Sequence, residues 1–149
     1  MVTIKPFQFR LDALLKFRRI QEEQAQVSLA QATAKYLAAQ EELVRMEDKL
    51  ADHLAVWRER QQQPVTVGSL KMFQDYNDKL ICDIARQQQS VAAAESFRQE
   101  CIHNMEEAAK ARKVVEKLRE KRLRQYRAEL LREEQKELDE LGLQAFVRN

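Results

Sequence analysis

The chain has 149 residues, and 78 of them, or 52%, are Ala, Glu, Lys, Leu or Arg, a composition typical of a long helix or coiled coil. Two glycines and two prolines are too few for a turn-rich β protein or a loop-rich α/β domain. The 26 basic and 24 acidic residues give a net charge of +2, which by itself does not indicate binding to nucleic acid. The sequence shows neither an apolar stretch of about 18 residues nor a signal peptide, so we expect a cytoplasmic protein.

The first helix is predicted over about residues 7–62, where neither proline nor glycine interrupts the chain. Mostly apolar residues recur there at alternating spacings of four and three, which gives the 3.5-residue period of a coiled coil. The fourteen positions of this first stripe are Leu11, Leu15, Arg18, Glu22, Ala25, Leu29, Ala32, Tyr36, Ala39, Leu43, Met46, Leu50, His53 and Trp57.

A loop is predicted over about residues 63–69, because Pro64 disfavours helix at the residue before it and Gly68 favours a turn. Ser69 is the expected N-cap of a second helix over about residues 70–141, which Gly142 is expected to end. This helix carries a second stripe of the same period. Its positions are Leu70, Phe73, Asn77, Leu80, Ile84, Gln87, Val91, Ala94, Arg98, Cys101, Met105, Ala108, Arg112 and Val115.

Two long helices joined by so short a loop are expected to pack antiparallel. We therefore predict an all-α fold, a long two-helix antiparallel coiled-coil hairpin that forms a single domain over residues 1–149. In the expected register the numbers of opposing residues add to about 131. This register places Trp57 near Phe73, and Tyr36 near Glu95.

Charge is unevenly distributed along the chain. Residues 1–20 carry a net charge of +4, residues 110–127 carry +7 and residues 128–141 carry −4. An antiparallel hairpin brings the first two segments to the same end. The basic segment, residues 110–127, has three interpretations: a solvated face, a nucleic-acid site or a surface that docks on an acidic protein. Two acids cannot neutralise nine bases, and the acidic residues that follow would repel phosphates, so a protein partner is favoured.

Metal binding and catalysis are not indicated by this pattern of residues. Cys101 and His103 are two residues apart on a helix and point to different faces, while Cys82 lies 19 residues from Cys101. Cys101 falls on the second stripe and is expected to be a small apolar filler. His53 is expected to form a polar pair near residues 77–78. A two-helix fold also offers no closed pocket, so we predict a non-enzymatic protein with no cofactor, no metal and no small-molecule substrate.

Aromatic residues concentrate beside the loop. Trp57 and Phe73 fit the two stripes and should close the loop end of the hairpin. Tyr76 lies off the second stripe and is expected to be exposed. An exposed tyrosine beside Phe73 and Leu80 predicts a docking patch, and we call these three residues the loop-end patch.

Three segments together resemble the FliJ family of the bacterial flagellar type III export apparatus. They are residues 7–15 (FQFRLDALL), residues 116–122 (EKLREKR) and residues 134–141 (EQKELDEL). The injectisome stalk proteins of the YscO type share this architecture and stay an alternative. A generic coiled-coil tether and a nucleic-acid-binding coiled coil are two further alternatives.

The resemblance implies a non-enzymatic stalk or adaptor on the cytoplasmic side of the cell membrane, held there peripherally through the export apparatus. Its implied partners are the ring of a FliI-like export ATPase, a FlhA-like export-gate membrane protein and export chaperones. By analogy, the end that holds both termini enters the ATPase ring, and the loop-end patch of Phe73, Tyr76 and Leu80 contacts the gate. The residues expected at the ATPase are Arg112, Lys113, Lys117, Arg119, Lys121, Arg122 and Arg124.

Overall fold

The computed structural model describes residues 5–148, which form two helices joined by a short loop. Helix α1 spans Asp12–Arg60 and helix α2 spans Val67–Arg148. The described residues contain no β-strand. The predicted all-α two-helix antiparallel hairpin is therefore confirmed. Neither helix has a stretch, within the described residues, that is long and apolar enough to cross a membrane.

The two predicted stripes form the interface between the helices. Leu11 is the one exposed position of the first stripe, and Leu70 is the one exposed position of the second. Leu15 is 3% exposed and Leu80 is 4% exposed, but most other stripe positions are only partly covered. Each helix has a single neighbour, so the core is one side chain thick and its stability is spread over many small layers.

Contacts between opposing residues agree with the predicted register to within a few residues. Trp57 stacks on Phe73 with ring centroids 4.3 Å apart. Tyr36 lies under the guanidinium of Arg98, which also contacts Glu95 at 3.4 Å. The predicted contact of Trp57 with Phe73 is therefore present, and Tyr36 lies against Arg98, three residues from its predicted neighbour Glu95.

The start of the first helix was predicted too early. Residues 5–11 are not helical, and the chain turns into α1 where the Asp12 amide donates to the Phe9 carbonyl at 3.2 Å. Side chains two residues apart lie on the same side of an extended chain but on different faces of a helix. The extended form therefore lets both Phe7 and Phe9 pack against α2, and Phe9 is buried there.

The second helix begins earlier than Ser69 implied. Thr66 caps it, because its hydroxyl accepts the Ser69 amide at 3.2 Å and donates to the Ser69 hydroxyl at 2.9 Å. Ser69 is therefore the third helical residue rather than the N-cap. The side chain of an N-cap residue typically accepts a hydrogen bond from the amide of the second or third helical residue, as Thr66 does here. The loop is shortened to residues 61–66.

Gly142 does not end α2, contrary to the prediction, and the helix continues to Arg148. A glycine ends a helix most readily when it adopts a left-handed conformation, and neither described glycine has a positive φ angle. A methyl group added at Gly142 would meet no atom within 4 Å. Gly142 is an interior helical glycine in an exposed turn.

Replacing Gly142 with Ala should stabilise the end of α2 by up to about 1 kcal/mol, because alanine has the higher helix propensity and nothing obstructs its methyl group. Amide hydrogen exchange across residues 138–146 should slow in this variant. Gly68→Ala is the control, since the same change in the first turn of α2 should leave those amides unaffected. Faster exchange at residues 138–146 would show that Gly142 does end the helix.

The described residues divide into two compact units. Unit 1 contains residues 5–24 and 106–148, and unit 2 contains residues 25–105. Both helices contribute to both units, so this division does not test the prediction of a single domain over residues 1–149.

Candidate docking surfaces

The core of unit 1 fixes the surface on which the basic segment lies. Phe9, Leu15 and Val115 form a buried cluster. Leu118 and Phe7 pack against that cluster and are partly buried. The extended residues before α1 are thereby attached to α2 along the basic segment.

Arg112 is the most enclosed charge of the basic segment. Its Nε donates to the Glu22 carboxylate of α1, and a second guanidinium nitrogen lies 2.5 Å from Glu116. The hydrogen bond to Glu22 is the main reason that the pKa of Arg112 is raised above its usual value. Glu116 also contacts Arg19 at 3.5 Å. Arg112 therefore links the two helices, and its positive charge is already compensated by Glu22 and Glu116.

Arg119 is also engaged within unit 1. Its guanidinium lies 3.6 Å from the Asp12 carboxylate and 5.7 Å from the centre of the Phe7 ring. Asp12 is in the first turn of α1, where a carboxylate is favourable. The contacts of Arg119 hold the extended segment and the start of α1 against α2.

The other five predicted residues of the basic segment behave differently. Lys113, Lys117, Lys121, Arg122 and Arg124 are all exposed. None has an acidic partner within 4.0 Å in the part of the chain that the structure describes. The predicted set of seven thus separates into two arginines with structural contacts and five free positive charges.

A groove next to these charges was not predicted. It has a volume of about 830 Å³ and lies between residues 5–11 and residues 118–129. Phe7 and Tyr126 form part of its lining, with ring centroids 5.6 Å apart, and Tyr126 donates a hydrogen bond to the Lys5 carbonyl. Arg10 and Arg122 lie along it. The sequence signal for this groove is the Phe-x-Phe spacing directly after Pro6. The sequence analysis missed it because the same residues were assigned to the first helix.

The loop end of unit 2 carries a second surface. Phe73 is stacked between Trp57 and His53, with its centroid 4.3 and 4.5 Å from theirs. Tyr76 meets the His53 ring edge-on at 4.6 Å. His53 was expected to pair with polar groups near residues 77–78 and instead joins this aromatic stack. The reason is that α2 places Phe73, one turn earlier, directly opposite the imidazole.

The loop-end patch is only partly available to a partner. Leu80 is buried in the helix interface, and Phe73 is half-buried, so Tyr76 at 37% exposure is the accessible member. A cleft of about 260 Å³ lies beside it, lined in part by Met72 and Val56. Met72 is 76% exposed, and sequence analysis missed it because it lies off the stripe.

Side chains of the types that bind metals do not cluster in the described part of the chain. No set of three His, Cys, Asp or Glu side chains within residues 5–148 is placed to hold a metal ion. Cys101 is 5% exposed in the helix interface, which confirms its predicted role as a filler, and Cys82 is exposed.

The family of the chain follows from a comparison with family models. The model described as flagellar FliJ protein matches residues 7–149, which is nearly the whole chain. The chain belongs to the flagellar FliJ protein family. Comparisons with curated proteins and with solved structures find no significant match. Membership of this family agrees with the all-α hairpin. It identifies the chain as a protein associated with flagellar export, since members of the family are structural components of the export apparatus.

Proposed function

We propose that the chain is a non-enzymatic stalk or adaptor that docks in the ring of a FliI-like export ATPase. It links the ring to a FlhA-like export-gate protein and to export chaperones. It acts in the cytoplasm, peripherally at the membrane, and without nucleic acid, cofactor or small-molecule substrate. The observation that carries this proposal is the group of five exposed bases in the basic segment that lack acidic partners.

Dense like charges disfavour a compact fold unless another group offsets them. The fold of unit 1 uses Glu22, Glu116 and Asp12 to balance Arg112 and Arg119. The remaining five bases have no acidic partner within 4.0 Å among residues 5–148. An acidic protein surface would supply it, with the aliphatic stems of the lysines and arginines lying along that surface.

The acidic residues after the basic segment favour a protein over nucleic acid as the partner. Residues 128–141 carry a net charge of −4 and continue the same helix, so a phosphate backbone that follows α2 would be attracted and then repelled. A folded protein ring can instead present acidic groups at one level only. Membership of the flagellar FliJ protein family supports a partner within the flagellar export apparatus. An injectisome stalk of the YscO type is the alternative.

Titrating the chain into the purified export ATPase while measuring ATP hydrolysis tests the proposal. We expect saturable stimulation, because a docked stalk favours ring assembly and supplies no catalytic group. The half-saturating concentration should rise with added salt, since charges are screened beyond about 8 Å at physiological ionic strength. Absence of stimulation at low salt would contradict the proposal, and salt-independent stimulation would contradict the role of the basic segment.

Tyr76→Ala should weaken binding of the chain to the soluble domain of the export-gate protein by roughly tenfold, the loss that accompanies removal of an aromatic anchor. Tyr76 supports this assignment because it combines partial exposure with a fixed edge-on contact to His53. Isothermal titration calorimetry gives the affinity. Phe97→Ala is the matched control, since Phe97 is an exposed aromatic residue of unit 2 away from the loop. Equal affinities for Tyr76→Ala and the unaltered chain would remove Tyr76 from the site.

A further inference from the structure

The groove of unit 1 lies where α2 extends past the start of α1. Asp12, the first residue of α1, contacts Arg119 of α2 at 3.6 Å. The α2 side of the groove runs from Leu118 to Glu129, at that level and beyond it. Residues 5–11, which are not helical, lie along this part of α2 and form the other side. The groove of about 830 Å³ between them has the size of a ligand site.

The backbone beside the groove has hydrogen-bonding groups without partners. None of the amides of residues 7–11 donates a hydrogen bond to another residue within 5–148. Of their carbonyls in this range, those of Phe9 and Leu11 accept one, from amides at the start of α1, and the other three accept none. An extended segment with unpaired backbone groups can receive a second extended segment as an added strand, because the two backbones then pair with each other.

The charged residues of the groove favour an acidic occupant. Lys5, Arg10 and Arg122 line the groove and are exposed. None of the three has an acidic partner within 4.0 Å in the described part of the chain. Glu129 is the one acid of the described lining. Three bases against one acid leave an excess of positive charge, which attracts carboxylates.

Apolar side chains complete the lining and set its length. Phe7 and Tyr126 are half-buried with their ring centroids 5.6 Å apart, and Leu11 is 38% exposed. Residues 118–129 of α2 extend over about 17 Å at 1.5 Å per residue. This is the length of about five residues of extended chain at 3.3 Å each.

We propose that the groove binds an extended acidic segment of a partner protein, which adds as a strand beside residues 7–11. Carboxylates of this segment meet the three bases of the lining. Apolar side chains, which alternate with the carboxylates along an extended chain, pack on the aromatic rings. A helix would suit the groove less well, because its backbone groups are paired internally and would leave those of residues 7–11 unpaired.

This site is independent of the proposed docking of the ATPase. Arg122 is the one residue that the two surfaces share. The other free bases of the basic segment do not line the groove; they are Lys113, Lys117, Lys121 and Arg124. Loss of peptide binding therefore leaves the ATPase proposal standing, and the reverse also holds.

Fluorescence anisotropy of a short labelled peptide of alternating Glu and Leu tests the charge of the site. At low salt we expect saturable binding to the full chain, and a peptide of alternating Lys and Leu should not bind. The double variant Arg10→Glu, Arg122→Glu should raise the dissociation constant at least tenfold. Lys16→Glu, Arg132→Glu is the matched control, because both residues are exposed in unit 1 and lie outside the lining. It should leave the constant unchanged, and circular dichroism melting checks that both variants fold.

Glu129→Gln should act in the opposite direction and tighten binding of the Glu–Leu peptide by up to about fivefold, the scale of one exposed charge contact. Methylating alternate amide nitrogens of the peptide tests strand addition and should weaken binding at least tenfold, because those amides no longer donate. Undiminished binding of the methylated peptide overturns the added strand. Absence of binding to the Glu–Leu peptide at low salt overturns the site, as does equal binding of a DNA strand of the same charge.

Discussion

Replacing Lys113, Arg122 and Arg124 with Glu should raise, at least tenfold, the concentration of the chain that gives half-maximal stimulation of the export ATPase. An ATP hydrolysis assay measures this concentration. A tenfold rise corresponds to a loss of roughly 1.4 kcal/mol of binding free energy. The three side chains are exposed and have no acidic partner among the described residues. Their reversal removes attraction to an acidic surface and adds repulsion.

The same variant should keep its thermal stability, because these three side chains form no ion pair with another described residue and their reversal reduces the crowding of like charge. Circular dichroism melting separates this expectation from simple unfolding. Reversal of Lys35, Lys49 and Lys79, which are exposed bases of unit 2, is the control of equal charge and should leave stimulation intact. Undiminished stimulation by the first variant would show that the basic segment is a solvated face.

Leu15→Ala should lower the free energy of unfolding by about 2–3 kcal/mol, toward the lower part of the range for large-to-small changes in a full core. Leu15 is 3% exposed and belongs to the cluster with Phe9 and Val115, which also holds the extended residues before α1. Urea denaturation followed by circular dichroism measures the change. Phe17→Ala, two residues along and half exposed, should cost much less. Equal losses for the two variants would show that the core of unit 1 is wrongly placed.

The period of the stripes was sufficient to predict which faces of the helices meet. A 3.5-residue repeat keeps the apolar residues on one side of each helix, so two neighbouring helices bury them only by packing these sides together. The loop was also predictable from Pro64, whereas the turn expected at Gly68 was wrong, because Gly68 lies in the first turn of α2. The departure at residues 5–11 was not, since tertiary packing of Phe7 and Phe9 outweighs the helix pattern. Gly142 was misread because glycine ends a helix only when the chain that follows turns back, and here α2 continues.

Charge counting predicted the basic segment but could not separate its members. Arg112 and Arg119 have acidic residues of α1 opposite them, Glu22 and Asp12, whereas Lys113 and Arg122 do not. Which bases are paired in this way depends on the register of the two helices to within one residue. The same limit applies at the loop end. His53 and Tyr76 meet because Phe73, and not Asn77, lies opposite the imidazole. The partner of an individual side chain can therefore be assigned only from the packed helices and not from the sequence pattern.

The stack of Trp57 on Phe73 has a practical consequence for the spectroscopy of this protein. Trp57 is the single tryptophan of the chain and is 9% exposed within unit 2. Its emission therefore reports on the aromatic stack at the loop end of unit 2. Binding of a gate protein at the loop-end patch should therefore shift the intrinsic fluorescence of the chain. An unlabelled chain thus reports optically on this one surface.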